Sequence, residues 1–81
     1  MLPDITVVPN PFQDFILVQS RRINFRTVQI QLHEMYGRLI FDQTEVTIPS
    51  KIYFPDYSPG MYLVTIKEDD GKMYQFNVMK N

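Results

Sequence analysis

The chain has 81 residues, of which 44% are hydrophobic and 21% are charged, and its formal net charge is −1 at pH 7. These values are typical of one folded globular domain, here over residues 1–81, and exclude a disordered chain of low hydrophobicity and high charge. The near-zero charge excludes general binding to nucleic acid or to an anionic membrane, and the absence of cysteine excludes disulfides, thiolate metal sites and thiol catalysis.

The first residues, Met1 to Asp4, lack the positive n-region and the apolar h-region of a secretory signal. No run of about 18 apolar residues follows that could form a transmembrane segment. If the natural protein is exported, we therefore expect this chain to be its tail or a mature fragment of it.

From residue 5 onward, apolar residues recur with a period of two, which predicts β-strands with one face on the core and one face in water. Val28, Ile30 and Leu32 show this period most clearly, because glutamines separate them. In chain order, the predicted strands cover residues 5–8, 15–18, 28–33, 39–41, 47–54, 62–67 and 74–79. The pattern predicts no helix of useful length.

Turn residues separate these runs. Pro9-Asn10-Pro11 forces the chain out of a sheet, since two prolines cannot donate hydrogen bonds to a strand ladder. Residues 35–38 form a tight turn between the third and fourth predicted strands, and Gly37 in this turn is free to take positive φ. Pro49 interrupts the pattern over residues 42–54, which indicates an edge strand or a bulge.

Two further turns precede the last two strands. In Pro59-Gly60, proline sets φ and glycine takes the left-handed position. Before the last strand, Asp70-Gly71 is typical of the tip of a type I′ hairpin. About seven short strands, with turn signals about every 8 to 12 residues, predict an all-β fold, an immunoglobulin-like antiparallel β-sandwich.

Nothing in the sequence specifies a catalytic residue, a cofactor-binding site or a metal site. His33, the only histidine, lies on the polar face of its predicted strand, and we interpret it as an exposed structural residue. The acidic residues 68–70 fit a hairpin loop better than a calcium loop. A loop with three arginines around one phenylalanine leaves a local docking patch open, although a solvated loop fits the overall charge better. These residues are Arg21, Arg22, Phe25 and Arg26.

Four motifs follow one another along the chain. They are Pro9-Asn10-Pro11, Gly37-Arg38 after a strand, Pro59-Gly60 leading to Tyr62, and Gly71-Lys72 ahead of a last strand with Lys80 as the penultimate residue. Each motif alone is explained by a turn, but a generic sandwich has no physical reason to repeat all four in this order. The series, over about residues 5–81, resembles the type A-like C-terminal sorting domain of the type IX (Por) secretion system of Bacteroidota. Tyr57 departs from the family, which has leucine before the third turn.

The resemblance implies an immunoglobulin-like domain in the C-terminal part of a longer exported protein. Such a domain is a ligand and substrate of the outer-membrane translocon, shuttle and sortase components. It passes through the periplasm and reaches the cell surface or the extracellular medium. We expect no enzymatic activity and no cofactor.

Recognition is expected at an exposed strand edge or at the chain end, where backbone groups lack partners. We therefore predict that the last strand binds the translocon through Lys72, Val78, Lys80 and Asn81. The motif residues are expected mainly to hold the fold, and they are Pro9, Asn10, Pro11, Gly37, Arg38, Pro59, Gly60, Tyr62 and Gly71. Dimerisation through edge strands stays open.

Two alternative functions also stay open. A stand-alone exported immunoglobulin-like binding or adhesion module would use an aromatic surface of Tyr36, Tyr53 and Tyr57 to hold a protein or a glycan. A small hydrolase would need a pocket that joins His33 to an acid and a nucleophile.

Overall fold

Seven β-strands run through the chain in a computed structural model that describes residues 4–21, 26–54 and 56–81. In chain order they are β1 (Ile5–Val8), β2 (Phe15–Ser20), β3 (Arg26–Glu34), β4 (Leu39–Ile48), β5 (Ser50–Tyr53), β6 (Gly60–Glu68) and β7 (Met73–Lys80). Over these described ranges there is no helix of the length and apolar character needed to cross a membrane.

The strands form two antiparallel sheets that pack as a sandwich. The three-stranded sheet has the order β1-β2-β5, and the four-stranded sheet has the order β4-β3-β6-β7. The predicted immunoglobulin-like sandwich is therefore confirmed. It differs from a constant-type immunoglobulin domain in one strand, because β4 pairs with β3, whereas the fourth strand there joins the sheet of the first two strands.

The predicted single strand over residues 47–54 is wrong, because the chain changes sheets within it. β4 ends at Ile48 on the edge of the four-stranded sheet, and β5 begins at Ser50 on the edge of the three-stranded sheet. Pro49 lies between the two strands, where its missing N–H costs no ladder hydrogen bond. Both segments that flank Pro49 are thus edge strands, as its position in the sequence predicts.

β4 is longer than its sequence pattern predicts, because its exposed middle section is polar. A bulge breaks its register with β3 between Val28 and Ile30, and Glu45 on β4 takes a φ of 55° there. The extra residue moves the core-facing positions of β4 from odd numbers to even numbers. As a result, Val46 and Ile48 are buried.

The β3–β4 and β6–β7 loops have the same geometry. Each has four residues between the strand ends, and the third is a glycine with positive φ, 103° at Gly37 and 93° at Gly71. The N–H of each glycine donates to the carbonyl that precedes the loop, on Glu34 at 2.8 Å and on Glu68 at 3.0 Å. This pattern matches a type I turn followed by a left-handed residue, so the predicted type I′ turn at Asp70-Gly71 is wrong.

The core lies between the sheets and is built mainly by the central strands. The side chains with no exposed surface are Ile5, Ile16, Val18, Ile30, Leu32, Val64 and Ile66. All but Ile5 belong to β2, β3 or β6, which are flanked by strands on both sides. The period of two over residues 28–32 and 62–66 therefore marks the inward faces of two central strands, as predicted.

We expect Gly71→Ala to lower the free energy of unfolding by about 1 kcal/mol, because alanine is strained at positive φ. Steric crowding adds nothing to this loss of stability, since no atom from beyond the neighbouring residues lies within 4 Å of the added Cβ. Gly71→Asn is the matched control and should cost less, because asparagine tolerates the left-handed conformation. Urea denaturation measures both variants, and equal stability of all three proteins would contradict the left-handed assignment.

Candidate recognition edge on strand β7

β7 lies at the edge of the four-stranded sheet, where β6 is its neighbour. Their pairing has no bulge from Gly60, opposite Lys80, to Lys67, opposite Met73. Along such a strand, successive residues direct their N–H and C=O groups to opposite sides. Every second residue of β7 therefore presents a main-chain donor and acceptor to the outer edge, and Met79 is one of them because both of its groups bind residues outside β6.

The side chain of Asn10 lies on this outer edge and replaces the backbone of a neighbouring strand. Its Nδ2 donates to the carbonyl oxygen of Asn77 at 3.1 Å, and its Oδ1 accepts from the N–H of Met79 at 2.9 Å. One amide side chain thus supplies the donor and the acceptor that a peptide group would supply. Pro9 and Pro11 on either side have no N–H of their own to offer.

Phe12 continues the pairing with its backbone and anchors it with its ring. Its N–H donates to the carbonyl oxygen of Met79 at 2.7 Å, and its carbonyl accepts from the N–H of Asn81 at 2.9 Å. The ring is 1% exposed and lies 5.8 Å from the ring of Phe54, measured between centroids. Loss of such a buried ring costs about 3–5 kcal/mol. We call residues 10–12 the edge clamp, and it covers residues 77–81.

The four predicted recognition residues occupy different environments. Lys72 is exposed in the β6–β7 loop, where its backbone N–H donates to Oδ1 of Asp70 at 3.0 Å. Lys80 is half-buried, and its Nζ donates to the carbonyl oxygen of Asn81 at 2.9 Å. Asn81 itself is exposed, whereas Val78 is buried in the core.

These residues do not converge on one small site. Lys72 and Lys80 lie at opposite ends of β7, about 26 Å apart at about 3.3 Å per residue. A receptor that contacts both lysines has to follow the whole strand. Their role in recognition stays a prediction.

The Gly37-Arg38 motif belongs to a polar cluster on the β3–β4 hairpin. Nε of Arg38 lies 3.5 Å from Oε2 of Glu34. The Glu34 carboxylate, as a hydrogen-bond acceptor and through its negative charge, raises the pKa of Tyr36 above its ordinary value. The cluster links the two sides of the loop.

The segment before β6 is held by two tyrosines. Gly60 begins the strand with a φ of 145°, and the buried Tyr62 donates its hydroxyl to the carbonyl of Ser58. The ring of Tyr57 lies 6.0 Å from that of Tyr62, and its hydroxyl donates to the carbonyl of Ile40 at 3.2 Å. Burial raises the pKa of Tyr57. Tyr57 is thus partly buried against the core.

The three tyrosines of the alternative binding module do not form one surface. Tyr36 is 84% exposed on the β3–β4 hairpin of the four-stranded sheet, whereas Tyr53 is 65% exposed on β5 of the other sheet. The ring of Tyr53 lies 5.6 Å from that of Phe15. Tyr57 packs against Tyr62 as described. The aromatic surface that this alternative needs is therefore divided between the two sheets.

The other predicted features give no competing site in the described part of the chain. His33 lies on β3 opposite Leu63, half-buried instead of exposed as predicted. Among the described residues, no group of three or more His, Asp or Glu side chains could hold a metal ion. Arg22 and Phe25 of the predicted arginine patch lie outside the described residues.

Sequence reasoning missed the contact between the edge clamp and β7. It treated Asn10 as a turn residue, because an asparagine between two prolines fits a turn. The available signal was that two prolines remove two backbone donors from this segment, so that a side chain or a later residue has to supply donors to a neighbouring strand. Asn10 and Phe12 are those two partners.

A family model described as a secretion system C-terminal sorting domain matches residues 6–80. The match begins in β1 and ends in β7, so it includes the edge clamp and both sheets. A comparison with curated proteins finds no significant match.

We expect Asn10→Ala to lower the free energy of unfolding by about 1–2 kcal/mol, because it removes two hydrogen bonds that water replaces only in part. Asn77→Ala is the matched control. It removes an exposed asparagine side chain on the other side of the same contact but keeps the carbonyl that Asn10 binds, so it should cost less than about 0.5 kcal/mol. Equal losses in urea denaturation would contradict the role of the Asn10 amide.

Proposed function

The chain belongs to the family of secretion system C-terminal sorting domains, and from this premise we propose that it directs a cargo protein through the type IX secretion system to the cell surface or the medium. The supporting observation is the family match over residues 6–80, which extends from β1 to β7. The family is one of sorting signals and is not an enzyme family. It implies export and interaction with the type IX machinery.

The natural context follows from the same premise. Residues 1–81 form a single sorting-type domain in the C-terminal part of a longer exported protein of Bacteroidota. The domain crosses the periplasm with its cargo, and its partners are the outer-membrane translocon, the shuttle and the sortase components. It serves them as ligand and substrate, without a catalytic residue or a cofactor of its own.

The proposed recognition residues differ in how a receptor reaches them. Lys72 and Asn81 are exposed, so they can be contacted while the sandwich stays folded. The Lys80 ammonium has to leave the carbonyl of Asn81 before it binds a receptor carboxylate. Val78 supports recognition indirectly, since its burial fixes the position of β7.

Residues 77–81 contribute to the core and to the contact with the edge clamp, so a test of recognition cannot simply delete them. Their deletion would remove Val78 from the core and both hydrogen-bond partners of the Phe12 backbone. A truncated tag would therefore lose stability together with its recognition groups. Point substitutions at exposed positions separate the two effects.

We expect a periplasmic reporter fused to residues 1–81 to reach the surface or the medium of a type IX-competent host. Lys72→Gln combined with Lys80→Gln should reduce the exported fraction about tenfold, because two charge-assisted contacts are lost. Lys67→Gln, at an exposed position of β6, is the control and should export normally.

Two outcomes of this assay would count against separate parts of the proposal. Retention of the unsubstituted fusion in the periplasm would contradict the sorting function. Normal export of the double variant would contradict only the assignment of the two lysines. Circular dichroism of each purified tag checks that the variants are folded.

A further inference from the structure

We infer that the open half of β7, residues 73–77, binds an extended, uncharged segment of a secretion-machinery protein as an added strand. The inference rests on the proposed function and specifies the chemistry of the partner. To the proposed contacts at Lys72, Lys80 and Asn81 it adds main-chain pairing on residues 73–77, of which the edge clamp binds only the carbonyl of Asn77.

The outward backbone groups of this half have no strand beside them in the described structure. Met79 directs its N–H and C=O to the edge clamp, so Met73, Gln75 and Asn77 direct theirs to the same side. The carbonyl of Asn77 is bound by Asn10. No backbone hydrogen bond from the described residues reaches Met73 or Gln75 on this side. Donors and acceptors that alternate in this way are complementary to another extended strand.

The other strand edges of the sandwich are protected against such pairing. β1 and β5 have four residues each, and β5 follows Pro49 and carries the exposed Lys51. β4 has a bulge and carries the exposed Asp42 and Glu45. Residues 73–77 have no charged side chain, no proline and no bulge. They therefore form the edge best suited to accept a strand.

The side chains of residues 73–77 indicate the composition of the added strand. Tyr74 and Phe76 pack against the core but are only partly buried. A strand beside β7 would cover their remaining surface with every second side chain, which favours apolar residues at those positions. On the opposite face, Met73 is 55% exposed. Because no charge on this segment could compensate a buried charge, the partner strand is uncharged.

The edge clamp sets the limit of the added strand. Asn10 already occupies the carbonyl of Asn77, so the partner pairs with Met73, Gln75 and the N–H of Asn77 and then ends against the clamp. A ladder this short has modest affinity, as expected for transient recognition.

A peptide titration tests the inference without any export machinery. The probe is a short peptide of alternating threonine and valine, blocked at both ends, added to the isotope-labelled chain and followed by NMR. We expect shift changes at the amides of Met73, Gln75 and Asn77. Gln75→Pro removes an outward N–H without removing a bond to β6, and it should weaken binding about tenfold or more. Gln75→Thr keeps that N–H and should bind like the unsubstituted chain.

If Gln75→Pro does not fold, Met73→Pro replaces it, since the N–H of Met73 points the same way. Absence of binding, or shift changes along β4 instead, would overturn the inference. Shift changes that depend on protein concentration without the peptide would identify a second copy of this chain as the occupant, and would also overturn it.

An export assay with the same variants separates this inference from the proposed function. Export by the unsubstituted tag and by Gln75→Thr, but not by Gln75→Pro, supports both. Equal export by all three would show the inference to be wrong while the sorting function stands. If the unsubstituted tag is not exported, the sorting function is wrong, and the peptide titration alone decides whether residues 73–77 accept a strand.

Discussion

The pairing of the edge clamp with β7 determines which parts of the candidate site are covered. Residues 10–12 connect β1 to β2 in one sheet and bind the outer side of β7 in the other sheet. They close the side of the sandwich at which β1 and β7 are both edge strands. Without this contact, β6 alone would pair with the end of β7, and the backbone of Phe12, whose ring is buried, would lose both of its hydrogen-bond partners.

The clamp also reconciles two opposing demands on a sorting tag. An unpaired strand edge is a template for aggregation, but it is also a surface that another protein can read through main-chain hydrogen bonds. Because Asn10 reaches β7 through a side chain, it covers the strand from Asn77 onward and leaves Met73 and Gln75 uncovered. The domain thus limits its open edge to a short segment, whose backbone groups stay available for pairing.

The local sequence pattern predicts the central strands well. The features that it does not predict, the length of β4 and the contact of Asn10 with β7, depend on pairing between distant residues. Residues 28–32 show a clear period of two because β3 is central and buries one face, whereas the exposed polar middle of β4 hides its length. The Asn10 contact joins residues 67 positions apart and uses a side chain, so neither periodicity nor turn chemistry encodes it. The sequence alone therefore predicts that β7 is the candidate recognition strand, but not which half of it is covered.

Hydrogen exchange of individual amides along β7, measured by NMR on the unsubstituted chain, tests the central claim most directly. Slow exchange is expected at Met79 and Asn81, whose N–H groups bind the edge clamp. Fast exchange is expected at Met73 and Gln75, whose N–H groups point outward without a partner in the described structure. Similar rates at all four amides would contradict the claim, since the outer edge of β7 would then be covered, or open, along its whole length.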